Sequence, residues 1–254
     1  MKIKSTLLTT VFLGSLPVFA GTPAPTEPLT PATPSPWSCR VAIYGWAEGL
    51  DGDMGVLGRV APVSIDFSEI LDHLDMAAMG AVEIGYNRWS FLADFIYADV
   101  SGSANRREIY AKIEEKQFLG NFIVAYEAVK TEALKFDVYA GARVNWIDAT
   151  LDIDVRDRPR FHGSDSETWV DPIVGARFQA QLPHDFFFRT VGDVGGFDAA
   201  SQFTWQAMAG IGYSFHQYGS LLLAYRAIGT DYTKNGFTYN IVAHGPLLGY
   251  EFKF

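Results

Sequence analysis

Thr204-Trp-Gln-Ala-Met-Ala-Gly-Ile-Gly-Tyr-Ser-Phe215 alternates with a period of two. Trp205, Ala207, Ala209, Ile211, Tyr213 and Phe215 share one parity, while Thr204, Gln206, Gly210, Gly212 and Ser214 share the other, with Met208 as the one dissenter. A helix would space its apolar residues by three and four; a strand separates its two faces residue by residue. The stretch therefore reads as a β-strand with one apolar face and one polar or small face.

The same test succeeds on both sides of it. Phe136, Val138, Ala140, Ala142, Val144 and Trp146 oppose Asp137, Tyr139, Gly141, Arg143 and Asn145. Val170, Val174, Ala176, Phe178 and Ala180 oppose Asp171, Gly175, Arg177, Gln179 and Gln181. Weaker alternation marks 40–49, 78–87, 89–100, 117–128, 185–193, 219–229 and 244–254. This predicts ten strands, with eight as the alternative count. The links alternate too. Asn87-Arg88, Lys130–Leu134, Pro183-His184 and Gln217–Gly219 are short, while 50–77, 101–116, 153–167, 194–202 and 230–243 are long. Short turns at one end and long loops at the other are the pattern of an antiparallel, up-and-down transmembrane β-barrel with periplasmic turns and external loops. The fold class expected is all-β.

Composition agrees. Aromatic residues make up 15% of the chain and charged residues 19%, below the roughly 25% of ordinary globular proteins, yet no internal run approaches the ~20 apolar residues of a membrane helix. The formal charge is −9 with no basic cluster, which argues against a nucleic-acid partner. Cys39 is alone and cannot form an internal disulfide. Lys2 and Lys4, the apolar Leu7–Val18 and the small residues of Val18-Phe-Ala20 predict a secretory leader over 1–20. Six prolines between Pro23 and Pro36 predict an extended periplasmic linker over 21–37, leaving 38–254 for the barrel. Trp46, Trp89, Tyr97, Tyr126, Trp146, Tyr213 and Phe215 lie towards strand ends, where amphipathic rings suit a bilayer interface.

Gly-Tyr-Glu-Phe-Lys-Phe254 places Tyr250, Phe252 and Phe254 on one face and resembles the carboxy-terminal signal read by the barrel-assembly machinery of Gram-negative bacteria. From Trp37 onward, Trp169-Val-Asp-Pro-Ile-Val-Gly-Ala-Arg177, Gly192-Asp-Val-Gly-Gly-Phe197, Thr204-Trp-Gln206, Gly210-Ile-Gly-Tyr213, Tyr225-Arg226 and Phe67-Ser-Glu-Ile-Leu-Asp-His-Leu74 resemble small outer-membrane barrels broadly similar to the OmpA and OmpW types. The resemblance implies a fold, an outer-membrane location, and lipid and lipopolysaccharide as surroundings. It supplies no activity, and the peptidoglycan-binding domain of full-length OmpA proteins is not recognisable here.

The inward parity carries acids at Glu48, Glu83, Asp94, Glu127, Asp137, Asp171, Asp193 and Glu251, and bases at Arg40, Arg143, Arg177, Arg189, Arg226 and Lys253. Unpaired charge is costly in a narrow low-dielectric lumen, so each Arg should find a carboxylate. The network either stiffens a filled barrel or forms charge rings along a narrow pore for small polar solutes. Apolar spacing at Phe67, Ile70, Leu71 and Leu74 predicts a short helix within 65–75, capped by Ser68, lying on the rim or plugging the mouth. No catalytic motif, metal-ligand spacing or phosphate loop appears, so no enzyme activity, cofactor or metal is expected. His73, His162 and His244 are placed near the outer end, with Ser164 and Asp165 close to His162 in sequence. The expected function is a structural barrel or a narrow porin-like channel. The alternatives are a surface-acting barrel enzyme, marked by a clustered Asp/His or His/Ser pair at the rim, and an adhesin or receptor using external loops.

Overall fold

The computed structural model describes residues 35–56, 59–106, 109–155, 161–216 and 219–254. The predicted leader and nearly all of the predicted linker lie outside the described residues. The remainder runs β1 (Trp37–Trp46), β2 (Gly49–Val56), β3 (Arg59–Ile65), α1 (Phe67–Asp72), β4 (Leu74–Tyr86), β5 (Trp89–Arg106), β6 (Ile109–Lys130), β7 (Leu134–Val155), β8 (Phe161–Gln181), β9 (Phe186–Gly196), β10 (Phe203–His216), β11 (Gly219–Lys234) and β12 (Phe237–Lys253). Strands β1 and β4 to β12 pair antiparallel in order, and β1 closes the ring on β12 from Arg40↔Lys253 to Trp46↔Leu247. The result is a ten-stranded closed barrel with β2 and β3 as two additional strands outside the ring. Closure pairs the ladder all round, the condition for a sheet to cross a layer without water.

Much of the sequence between the predicted strands is built as strand. β6 and β7 pair from Lys130↔Lys135 to Ile109↔Val155, so their hairpin rises well beyond the apolar segment. Residues 230–243, predicted as an external loop, form the arms of a hairpin between β11 and β12. Its turn is Asn235-Gly236, with φ 52° and 86°, paired Lys234↔Phe237 below it. Two residues at positive φ make the type I′ turn that matches strand twist, and Asn-Gly adopts it at little cost.

The outer face is apolar on every ring strand. Ile43, Ile84, Phe91, Val124, Val138, Val174, Val194, Ile211, Leu223 and Leu248, one from each, are all exposed. A continuous apolar belt of this kind is not stable in water and suits a hydrocarbon layer.

The seam between β1 and β2 sets the shape of one side. After Trp46 the chain leaves the ladder for two residues, held by Ala47 N–H to Pro246 O at 2.9 Å, and β2 then continues along β12 from Gly49↔His244 to Gly55↔Thr238. Gly245 faces this break. A Cβ there would meet the Ala47 carbonyl oxygen at 1.9 Å, a backbone atom that cannot swing away. Gly245→Val should therefore detach the β2–β3 hairpin from β12. Protease sensitivity at Ser64–Leu71 in the folded variant, against resistance in the parent, checks this.

The predicted helix is present as α1, but its N-cap is Asp66, which makes no side-chain cap bond, rather than Ser68. None of its residues is buried; only Ile70 leans on the core, and Phe67 and Leu71 are exposed. It lies on the rim and is not a plug.

Candidate functional site

Strand alternation sends every second side chain of the ring into the lumen, and these side chains fill it in layers. At the short-turn end, six charges alternate in sign in one chain. Asp137 accepts from Arg177, which also donates to Glu83; Glu83 accepts from Arg40, and Arg40 donates to Glu251, which accepts from Arg189. Ser90, Gln179 and Ser220 add hydrogen bonds to it, while the buried Asp137 Oδ1 has no partner among the described residues. Below this chain, Glu127 lies 3.5 Å from Lys130 and 3.4 Å from Lys135. Lys253 makes no ion pair within reach among the described residues.

The middle layer is built on two arginines. Arg143 on β7 donates to Asn121 Oδ1, Thr204 Oγ1 and Asp193 Oδ1, each at 2.8 Å. Tyr139 donates to the other Asp193 oxygen at 2.9 Å. Arg226 donates to Asp94 at 2.8 Å, to Gln206 at 2.7 Å and to the Tyr44 hydroxyl at 3.2 Å, with its guanidinium 5.3 Å above the Trp46 ring. Each of the five lumen arginines thus meets a carboxylate. Asp171 does not join them. It accepts from the Ser201 N–H and Oγ, both at 2.7 Å, and so ties the external turn 197–202 down onto the lumen. Glu48 is buried without an ion pair among the described residues, facing Trp46, Tyr239 and Ile241 across a small void.

The upper layer is apolar, which the inward-polar expectation did not foresee. Trp169 stacks on Tyr232 with ring centres 4.2 Å apart, and Phe237 and Tyr239 pack around it. Ile96, Leu119, Ile147, Ile228 and Ile241 complete the layer. Trp46, predicted at the membrane interface, belongs here instead: it shares the inward parity of Arg40 and Tyr44, and its indole N–H donates to Gly245 O at 3.2 Å. The void in this layer holds about 10 Å³, room for about one water, whereas the cavity at the short-turn mouth holds about 300 Å³. Between them Arg143 and Asp171 are 0% exposed, so the described lumen side chains leave no continuous aqueous path.

One further constellation lies outside the ring. Tyr225 Oη is 2.7 Å from His244 Nδ1, and His244 Nε2 is 2.9 Å from Asp51 Oδ2. Ser64 Oγ donates to the other Asp51 oxygen at 2.9 Å. These residues come from β11, β12, β2 and β3, at the upper edge of the apolar belt. Of the predicted outer-end histidines, His244 is thus brought to a carboxylate, and His73 is the exposed C-cap of α1. On β8, His162 and Ser164 share one parity and Asp165 has the other. Sequence reading missed the Asp51–His244 contact because it depends on β2 following β12, a pairing with no local signature. The hydrogen bond from His244, aided by Ser64, holds the Asp51 carboxyl below the usual carboxylate range. A depressed folded value gives stability that is complete above the ordinary aspartate range and is lost as pH falls through the depressed value. His244→Ala should raise Asp51 towards the ordinary range, with the Ser64 hydrogen bond left in place, read by carboxyl-carbon NMR titration of the folded protein.

Among the described residues no cluster of three His, Cys, Asp or Glu could hold a metal ion. The sequence matches no protein-family model and no curated relative. Solved structures do match in shape. The outer membrane protease OmpT from Escherichia coli aligns with a TM-score of 0.53 at 11% identity, covering 89% of this chain and 99% of that one. The translocator domain of the autotransporter NalP from Neisseria meningitidis aligns at 0.46 and 12% identity, covering 88% and 90%. Ail of Yersinia pestis aligns at 0.34 and 10%, covering 87% and 99%. At 11% identity the alignment with OmpT speaks for the fold alone. With the closed ten-stranded ring and its apolar outer belt, it gives this chain the fold of an outer-membrane β-barrel.

Proposed function

We propose that this chain is an integral protein of the outer membrane of a Gram-negative bacterium. Its barrel is a closed structural unit and not a porin-like channel. The observation that carries this reading is the filled lumen. A conducting pore keeps its lining side chains wet, whereas Arg143 and Asp171 are 0% exposed and Ile147 2%. Balanced, hydrogen-bonded charges and a stacked aromatic layer are what a lumen needs if it is to be a packed core. Proteoliposomes containing the folded protein should show no osmotic swelling in sugars or amino acids, while a porin-loaded control swells. Swelling at the control's rate would overturn the reading.

A surface-acting enzyme is the second reading, favoured by the Asp51–His244–Tyr225 chain. With Nε2–H donated to Asp51, Nδ1 of His244 can accept the Tyr225 proton, an arrangement that activates a hydroxyl. All three groups are well exposed, and so exposed a charged contact adds little stability. Hydrolysis of a chromogenic acyl ester that disappears in His244→Ala would support it; equal rates in both proteins would remove it.

A further inference from the structure

We propose that the short-turn mouth of the barrel is a binding pocket for a small soluble anion carrying two or more negative charges on phosphate or carboxylate groups. The pocket is blind. Its floor is the alternating chain from Asp137 to Arg189, whose charges cancel and whose hydrogen bonds hold it rigid. Its volume of about 300 Å³ is at the lower end of small-molecule sites. Its rim is basic. Seven Lys or Arg side chains line the cavity against three Asp or Glu, in a chain whose overall charge is −9. Adding Glu251 behind the floor leaves the balance positive.

The rim cations outnumber the carboxylates that face them. Lys130 and Lys135 share the carboxylate of Glu127, and Lys135 also lies 3.6 Å from Asp137 of the floor. Lys253 projects into the mouth with no ion pair among the described residues. Arg88 is anchored by hydrogen bonds to the carbonyls of Glu127 and Ala128 at 3.0 and 2.9 Å and lies 4.9 Å over the Tyr126 ring, so it lends a fixed positive charge. Such an excess over a neutral floor, between low-dielectric walls, concentrates anions of matching size. A monovalent anion would offset only one of these charges, whereas a multivalent one offsets several.

The test is calorimetric titration of the folded protein in a non-ionic detergent with pyrophosphate and, separately, citrate. Lys135→Gln/Lys253→Gln is compared with Lys116→Gln, an exposed lysine on the other part of β6. Heat-modifiable mobility confirms that each protein is folded. Expected is saturable one-site binding to the parent and to Lys116→Gln, weakened at least tenfold in the double variant and by raised salt. Tighter pyrophosphate binding would assign a phosphate-bearing ligand, and tighter citrate binding a polycarboxylate. Absence of saturable binding, or equal weakening in Lys116→Gln, would overturn the proposal.

Discussion

Arg143→Ala should destabilise the folded barrel by about 3–5 kcal/mol, the cost of breaking a buried ion pair from one side. Arg143 is wholly buried, and its three hydrogen bonds reach β6, β9 and β10 from β7, so it ties four strands across the lumen. Without it, Asp193 keeps its charge in the middle of the barrel with only Tyr139 as donor. Most of the loss comes from that stranded carboxylate and not from the missing attraction. Arg143→Met/Asp193→Leu, which removes both charges and keeps the volume, should therefore recover most of the stability. Urea unfolding of the lipid-embedded protein, followed by tryptophan fluorescence, measures all three. A double variant as unstable as Arg143→Ala would show that the network, and not the pairing, carries the energy.

Trp169→Ala should cost a similar 3–5 kcal/mol, for a different reason. The indole is 4% exposed and forms the centre of the apolar layer, in contact with Tyr232, Phe237 and Tyr239. Deleting it opens a cavity that strands anchored in closed ladders cannot collapse to fill. Tyr232→Phe keeps the stacking and loses only the hydrogen bond to Glu167 at 3.3 Å, so about 1 kcal/mol is expected. The same unfolding experiment separates the two. Equal losses would mean that the polar contact, and not ring packing, holds the layer together.

Those two residues also show where the sequence was legible. Arg143 announced itself, because β7 and β8 alternate apolar outside and polar inside in the lower half of the barrel. The upper half and much of the inner face of β11 break that rule. On β11, Leu222, Ala224 and Ile228 point inward while Leu221, Leu223 and Tyr225 point outward, so both parities are apolar and the strand reads weakly. Met208, the dissenter on β10, packs against this same layer. Parity detects a strand only where its two faces differ in polarity, and a lumen packed like a protein core removes the difference.

The 230–243 stretch failed for a second reason. Its alternation of Tyr232, Phe237, Tyr239 and Ile241 flanks Asn235-Gly236, a strong local hairpin signal, but weighing it requires accepting that strands rise far beyond the bilayer. The ion-pair partners were legible by type but not by identity, since Arg177 with Glu83 joins β8 to β4 across the barrel and only closure brings them together. The Tyr225–His244–Asp51 chain was invisible because it needs β2 to follow β12, a pairing with no local signature.

The most direct test of the closed barrel is single-channel recording from the wild-type protein in planar lipid bilayers, with heat-modifiable mobility confirming the fold. A filled lumen predicts bilayers that stay silent across a wide voltage range in concentrated potassium chloride. Reproducible discrete conductance steps from the folded protein would contradict it, because ions would then be passing where Arg143, Asp171 and Ile147 leave no room.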